Sequence, residues 1–182
     1  MKILTIVFLL QLSATAFALE DVTNTDSWSW AIDFHGVQNQ VGENLSVTTP
    51  HYSAFQFRLS AGTNSVSSTN AQPEISYPMM QFAMLIHEGF KPGSPIRPYL
   101  GISYDMYFAG STTMKGTQGG VSFLPGIQIW QNVVANKWDN TRMLAFFIEG
   151  GPSFSNFYAS DQAGSQRLGD GFIMKLGLIR NF

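Results

Sequence analysis

The sequence predicts an all-β fold, a closed antiparallel eight-stranded transmembrane up-and-down β-barrel, and three observations carry that expectation. Large apolar side chains alternate with small or polar ones along most of the chain, which is the strand period of two. Past the N-terminus no apolar run approaches the roughly 20 residues that a helix needs to cross a bilayer, so any crossing must use strands. The 182 residues include no cysteine, which excludes a disulfide framework, a thiolate metal site and a lipid-modified cysteine.

The N-terminus reads differently from the rest. Lys2, the apolar run 3–10 and the small-residue stretch ending Ala16-Phe17-Ala18 fit a signal peptide cleaved after Ala18, and the run is too short for a membrane anchor. The expected organisation is a signal peptide over 1–18 and one barrel over 19–182, with no linker or charge run dividing it. The remaining chain of about 164 residues allots roughly 20 to each strand and its connection, which suits eight strands.

The first strand is expected over 27–35, with Trp28, Trp30, Ile32 and Phe34 opposite Ser29, Ala31, Asp33 and His35. The second, over 41–49, has the weakest pattern, because Glu43 shares a face with Val41, Leu45 and Val47. The third, over 52–62, sets Phe55, Phe57 and Leu59 against Ala54, Gln56, Arg58 and Ser60. The fourth, over 78–90, sets Met80, Phe82, Met84 and Ile86 against Gln81, Ala83, Leu85 and His87. In the fifth, over 97–109, Leu100, Ile102, Tyr104, Met106 and Phe108 oppose Tyr99, Gly101, Ser103, Asp105 and Tyr107. The sixth, over 119–131, opposes Val121, Phe123, Ile127 and Ile129 to Ser122, Gly126 and Gln128. The seventh, over 142–155, opposes Leu144, Phe146, Ile148 and Phe154 to Ala145, Phe147, Glu149, Gly151 and Ser153. The eighth, over 172–182, alternates to a terminal aromatic residue.

Connections at 49–51, 91–96 and 132–140 are expected on the periplasmic side, and those at 36–40, 63–77, 110–118 and 156–170, rich in Gly, Ser, Thr, Asn and Gln, outside. The formal net charge is −2, charged residues make up 12% and aromatics 14%. Nothing here is basic enough to track a phosphate backbone, so nucleic acid is not an expected partner. Mean hydropathy near zero is what alternating lipid-facing and lumen-facing residues produce on averaging. A soluble lipocalin-like barrel would place the apolar face inside; here the charges share faces with glycine and serine, which favours lipid outside. Trp28, Trp30, Trp130 and Trp138 are expected in an interfacial aromatic girdle.

The inward faces together give Asp33, His35, Arg58, Gln81, Tyr99, Asp105, Tyr107, Gln128, Glu149 and Lys175, interleaved with Gly101, Gly126, Gly151 and Gly177. Eight strands enclose just enough room for side chains, so a filled lumen is expected. Its charges should form a network of Asp33, Arg58, Asp105, Glu149 and Lys175, since a buried charge is costly without a partner. Glu149 faces Lys175, Asp33 neighbours them on the first strand, and Arg58 and Asp105 reach the cluster from similar heights.

The segments Arg97-Pro98-Tyr99-Leu100-Gly101-Ile102-Ser103-Tyr104, Leu124-Pro125-Gly126-Ile127-Gln128 and Glu149-Gly150-Gly151-Pro152, with the terminal strand, resemble the small eight-stranded outer-membrane barrels: the membrane domain of outer membrane protein A, outer membrane protein X and the opacity-type proteins. Lys175, Gly177 and Phe182 resemble that class's barrel-assembly signal, and Arg180 departs from it. The resemblance implies a bacterial outer-membrane location, insertion by the assembly machinery, a monomer, and contact with outer-membrane lipid and lipopolysaccharide.

Three functions follow as expectations: a non-enzymatic barrel contributing to envelope structure and surface presentation, a narrow ion-conducting pore gated by lumen salt bridges, or a lipid A-modifying enzyme of deacylase or acyltransferase type. Two constellations bear on the last. His51-Tyr52-Ser53 has the deacylase family's His-x-Ser spacing, but Ala54 stands where that family has Asn and the site lies at the periplasmic end. Asp33, His35 and Ser153 could serve as acid, base and nucleophile, but they face a filled lumen. No catalytic residue is therefore assigned. His87 lies at the opposite end from His35, so the histidines do not converge on a metal, and nothing calls for a cofactor.

Overall fold

The computed structural model describes residues 27–37, 40–66, 75–87, 94–108, 117–132, 143–155, 157–158, 167–168 and 170–181, and alternating β-branched, aromatic and small side chains give ten strands among them. Residues 1–18, expected as a signal peptide, and Trp138 and Phe182 lie outside these residues. Eight strands make the wall: β1 (Ser29–Val37), β2 (Gln40–Thr48), β3 (Phe55–Val66), β4 (Ile75–Ile86), β5 (Ile96–Phe108), β6 (Thr117–Asn132), β7 (Met143–Ser155) and β10 (Gly171–Asn181). The short β8 (Phe157–Tyr158) and β9 (Arg167–Leu168) pair with each other apart from the wall. All wall neighbours are antiparallel, and β1 pairs with both β2 and β10, closing an all-β up-and-down barrel. Closure removes the free edges that an open sheet presents to other chains.

The register sets the barrel's shape. Partners taken in turn from Ser29 are Thr48, Arg58, Ala83, Ser103, Ser122, Ser153 and Gly171. Gly171 precedes by two residues Ile173, the partner of Val37, so the circuit closes about ten residues along β1, a stagger that tilts the strands by roughly 35–45° to the axis. On this circuit every residue except Arg58 is Ser, Thr, Ala or Gly. That sparseness leaves room for one long cation in a narrow interior.

Several boundaries differ from expectation. The strands at the end bearing the long connections run further: 36–37 and 40, 63–66, 75–77 and 117–118 are strand rather than loop. The hairpin register explains this, because Asn64↔Tyr77 and Val66↔Ile75 continue the β3–β4 ladder without interruption. Local turn-forming composition gives way to cross-strand bonds. The 156–170 connection likewise contains the β8–β9 ladder. At the opposite end β3 starts at Phe55 rather than residue 52, because Tyr52 and Phe55 exchange backbone bonds around a tight turn with Ser53 at φ 59°.

The polarity is inverted relative to a soluble barrel. Ile32, Phe34, Leu45, Leu59, Phe82, Leu100, Phe123 and Leu176 stand exposed on the outward face, while Asp33, Arg58, Asp105, Glu149 and Lys175 are buried in the lumen, none more than 2% exposed. β2, the weakest pattern in the sequence, follows the rule: Val41, Glu43, Leu45 and Val47 point out and Asn44, Ser46 and Thr48 in.

The β6–β7 ladder is interrupted between Ser122↔Ser153 and Gly126↔Glu149. Pro125 and Pro152 lie within that gap, and neither has an N–H to offer. Inside the gap a Cβ built on Gly151 would fall 2.0 Å from the Phe123 carbonyl oxygen, so only glycine allows this close approach. Gly151→Ala should lower stability by about 1–3 kcal/mol through forced backbone displacement, read as a lower urea midpoint; an unchanged midpoint would contradict the assignment.

Candidate functional site

Among the described residues the lumen side chains form several linked polar groups. At mid-height, the β7–β10 register sets Lys175 directly across from Glu149. Arg58 of β3 reaches over the interior, and its Nη2 donates to both Glu149 oxygens at 2.6 and 2.8 Å. Tyr99 Oη donates to Glu149 Oε2 at 2.6 Å, and Lys175 Nζ stands 3.8 Å from Oε1. The Arg58 guanidinium also lies 5.4 Å from the Phe147 ring centroid, a cation–π distance.

Gln81 ties this level to the next. Its Oε1 accepts from Lys175 Nζ, while its Nε2 donates to Asp105 Oδ1 at 2.5 Å and Ser103 Oγ at 3.2 Å. Ser122 donates to Asp105 Oδ2 at 2.9 Å and lies equally far from Ser153 Oγ. On the other wall, Asn44 Nδ2 donates to Asp33 Oδ1 at 3.0 Å and to His35 Nδ1 at 3.3 Å. His35 Nε2 meets Asn64 Oδ1, and Asn64 Nδ2 contacts Met79 Sδ at 3.1 Å. This pattern fits an imidazole protonated on Nε2 and accepting on Nδ1. Tyr77 Oη donates to Gln40 Oε1 nearer the long connections.

Of the five expected network residues, Arg58, Glu149 and Lys175 form one cluster. Asp105 is held mainly by neutral donors and joins that cluster through Gln81 rather than through Arg58. Asp33 turns to Asn44, with His35 Nδ1 at 3.6 Å. The reason is reach: Arg58 is committed to Glu149, and neutral amides stand nearer to the other two carboxylates.

Trp130 requires a correction, because it belongs to the lumen and not to an outer girdle. It shares parity with Gln128, is 7% exposed, donates from Nε1 to Gln128 Oε1 at 3.0 Å and packs with Ala31, Ala145, Phe147 and Ile179. Arg97 Cζ lies 5.0 Å from its ring centroid, giving the buried guanidinium an aromatic face. Trp28, by contrast, is exposed, and Trp30 faces outward half-buried. Sequence reasoning passed over Asn44, Asn64 and Arg97: alternation puts Asn44 and Arg97 on their strands' inward faces, whereas Asn64 fell in the expected 63–77 connection and becomes a lumen residue because β3 runs to Val66.

The two histidine constellations separate. The His51 and His87 rings meet edge-on at 4.9 Å between centroids, whereas Ser53 is exposed in the turn. Asp33 and His35 adjoin, but Ser153 sits with Ser122 in the Asp105 cluster. Of the expected assembly-signal residues, Lys175 and Gly177 face the lumen on β10, where Gly177 pairs with Asp33. No family model, curated protein or solved structure matches the chain.

Two predictions follow from these contacts. Glu149→Gln leaves Arg58 and Lys175 without their carboxylate and should cost about 3–5 kcal/mol in urea unfolding, whereas the double change Arg58→Met with Glu149→Leu should cost less than the single one. The second concerns His87, which follows β4 at the rim. Burial, with His51 and the Arg97 guanidinium nearby, pushes its imidazole down to about 3 from the ordinary 6.5. The folded chain therefore keeps the ring neutral while the unfolded chain takes up a proton, so this contribution is present above 6.5 and lost as pH falls toward 3. His87→Asn should flatten the decline of the urea midpoint across that window.

Proposed function

We propose that this chain is a non-enzymatic integral β-barrel of a bacterial outer membrane, of the small eight-stranded kind, contributing to envelope structure and surface presentation. The observation that carries the reading is the inverted polarity: apolar side chains exposed all round the closed wall, and charges satisfied inside it. Water disfavours so extensive an apolar surface on a monomer, and acyl chains solvate it. On this reading 1–18 is a cleaved export signal, outer-membrane lipid and lipopolysaccharide surround a monomeric barrel, and the assembly machinery inserts it. The lumen is structural. Asp33 is engaged with Asn44, and His35 with Asn44 and Asn64, which supports a packing role for both.

One contact favours a narrow pore as the second reading. Lys175 bridges Glu149 at 3.8 Å and Gln81, and so holds its carboxylate more loosely than Arg58 does. Steady conductance steps in planar bilayers that change with Lys175→Met would establish the pore over the plug.

The membrane reading is tested by spin labels, for which the cysteine-free chain is convenient. In lipid vesicles, labels at Leu100→Cys and Phe146→Cys should collide with lipid-dissolved oxygen and be shielded from a water-soluble relaxation agent. Water-like accessibility at both sites would refute a membrane-spanning wall.

A further inference from the structure

At the end of the lumen near the 49–54 connection, basic rings are packed together where the rest of the interior pairs opposite charges. The β3–β4 ladder continues past Phe55↔Ile86 through the His87 N–H, which donates to the Ala54 carbonyl at 2.8 Å and so fixes the base of the turn beside His87. His51 reaches from that turn to the buried His87 ring and meets it edge-on at 4.9 Å between centroids, and the Tyr99 ring lies 5.5 Å from His87. Arg97, two residues before Tyr99 on the same inward face of β5, is fully buried with its Cζ 5.0 Å from the Trp130 ring centroid. Two imidazoles and a guanidinium therefore share one mouth of the barrel.

Neutral imidazoles pack there as aromatic rings, and protonated ones do not. A proton on either ring sets a cation against the other and beside Arg97, in surroundings where like charges repel more strongly than in water. The groups that face His87 are His51 from the turn and Arg97 and Tyr99 from β5; the carboxylate behind Tyr99, Glu149 of β7, already engages Arg58 and Tyr99 itself. The turn is also built to come away alone. Thr49 pins its first end to Phe57, its N–H donating to the Phe57 carbonyl at 2.9 Å and its Oγ1 accepting from the Phe57 N–H at 3.0 Å, so the ladders need not change when His51 leaves. Ser53 sits at φ 59°, the left-handed region that a residue with a Cβ adopts at a cost, and release relaxes it.

We propose that His51 and His87 form an acid-released latch: protonation drives the 50–54 turn off this mouth of the lumen and opens Arg97 and Trp130 to solvent, while the Arg58–Glu149–Lys175 cluster deeper in the barrel stays in place. The latch goes beyond the structural reading of the lumen and leaves that reading intact. Its size follows from the ring. A His87 imidazole that titrates at about 3 when packed and at 6.5 when released favours the released turn about seventy-fold more at pH 4.5 than at pH 7.

The test is hydrogen exchange of the full barrel folded in detergent micelles, read by mass spectrometry at pH 7 and pH 4.5 and corrected for the intrinsic pH dependence of exchange. Peptides carrying the Tyr52, Phe55 and His87 amides should lose protection by a factor of about seventy on acidification, while those of the β5–β6 ladder keep theirs. His51→Asn, at a half-buried position of the turn, should cut that loss several-fold, and His51→Asn with His87→Asn should abolish it. Unchanged protection at pH 4.5, an equal loss in the β5–β6 ladder, or a loss that persists in the double variant overturns the latch. Should the double variant not refold, an undiminished loss in His51→Asn alone overturns it.

Discussion

An eight-stranded barrel encloses room for side chains and little else, and most of this structure follows from that limit. Each carboxylate or cation placed inside must find its partner within a few ångströms, because burying a lone charge is far more costly than any fold of this size tolerates. Arg58 and Glu149 meet this demand most directly. They sit on β3 and β7, and their contact joins opposite parts of the wall, so the closed cylinder and its internal salt bridge define one another. The circuit of Ser, Thr, Ala and Gly in register with Arg58 is the steric counterpart: one long side chain is accommodated because its partners around the barrel are short.

Neutral amides complete the interior. Gln81 accepts from a lysine and donates to an aspartate, which lets Lys175 and Asp105 share a network without touching. Asn44 instead donates from Nδ2 to both Asp33 and His35. Such bifunctional groups suit a space where charges are fixed by strand register and cannot slide toward one another. At the end near the 49–54 connection the strategy changes to aromatic packing, with Arg97 over Trp130 and His87 beside His51 and Tyr99.

The wall is less uniform than the ladder count suggests. Between β6 and β7, two prolines and a close backbone approach at Gly151 interrupt the pairing, while seven other seams run through their partners continuously.

Much of this was legible in the sequence, and for a local reason. Successive strand residues point to opposite faces by covalent geometry, so the alternation of Trp30, Ile32 and Phe34 with Ala31, Asp33 and His35 states which side chains share a face before any fold is known. The inward set from Asp33 to Lys175 follows from that periodicity, while the expected count of eight needed the chain length as well. What only the tertiary structure decided is which inward groups meet: Glu149 with Arg58, Asp105 with Gln81, Trp130 with Arg97. Those pairings depend on the ten-residue stagger accumulated around eight ladders, a sum over non-local registers that no window of sequence contains.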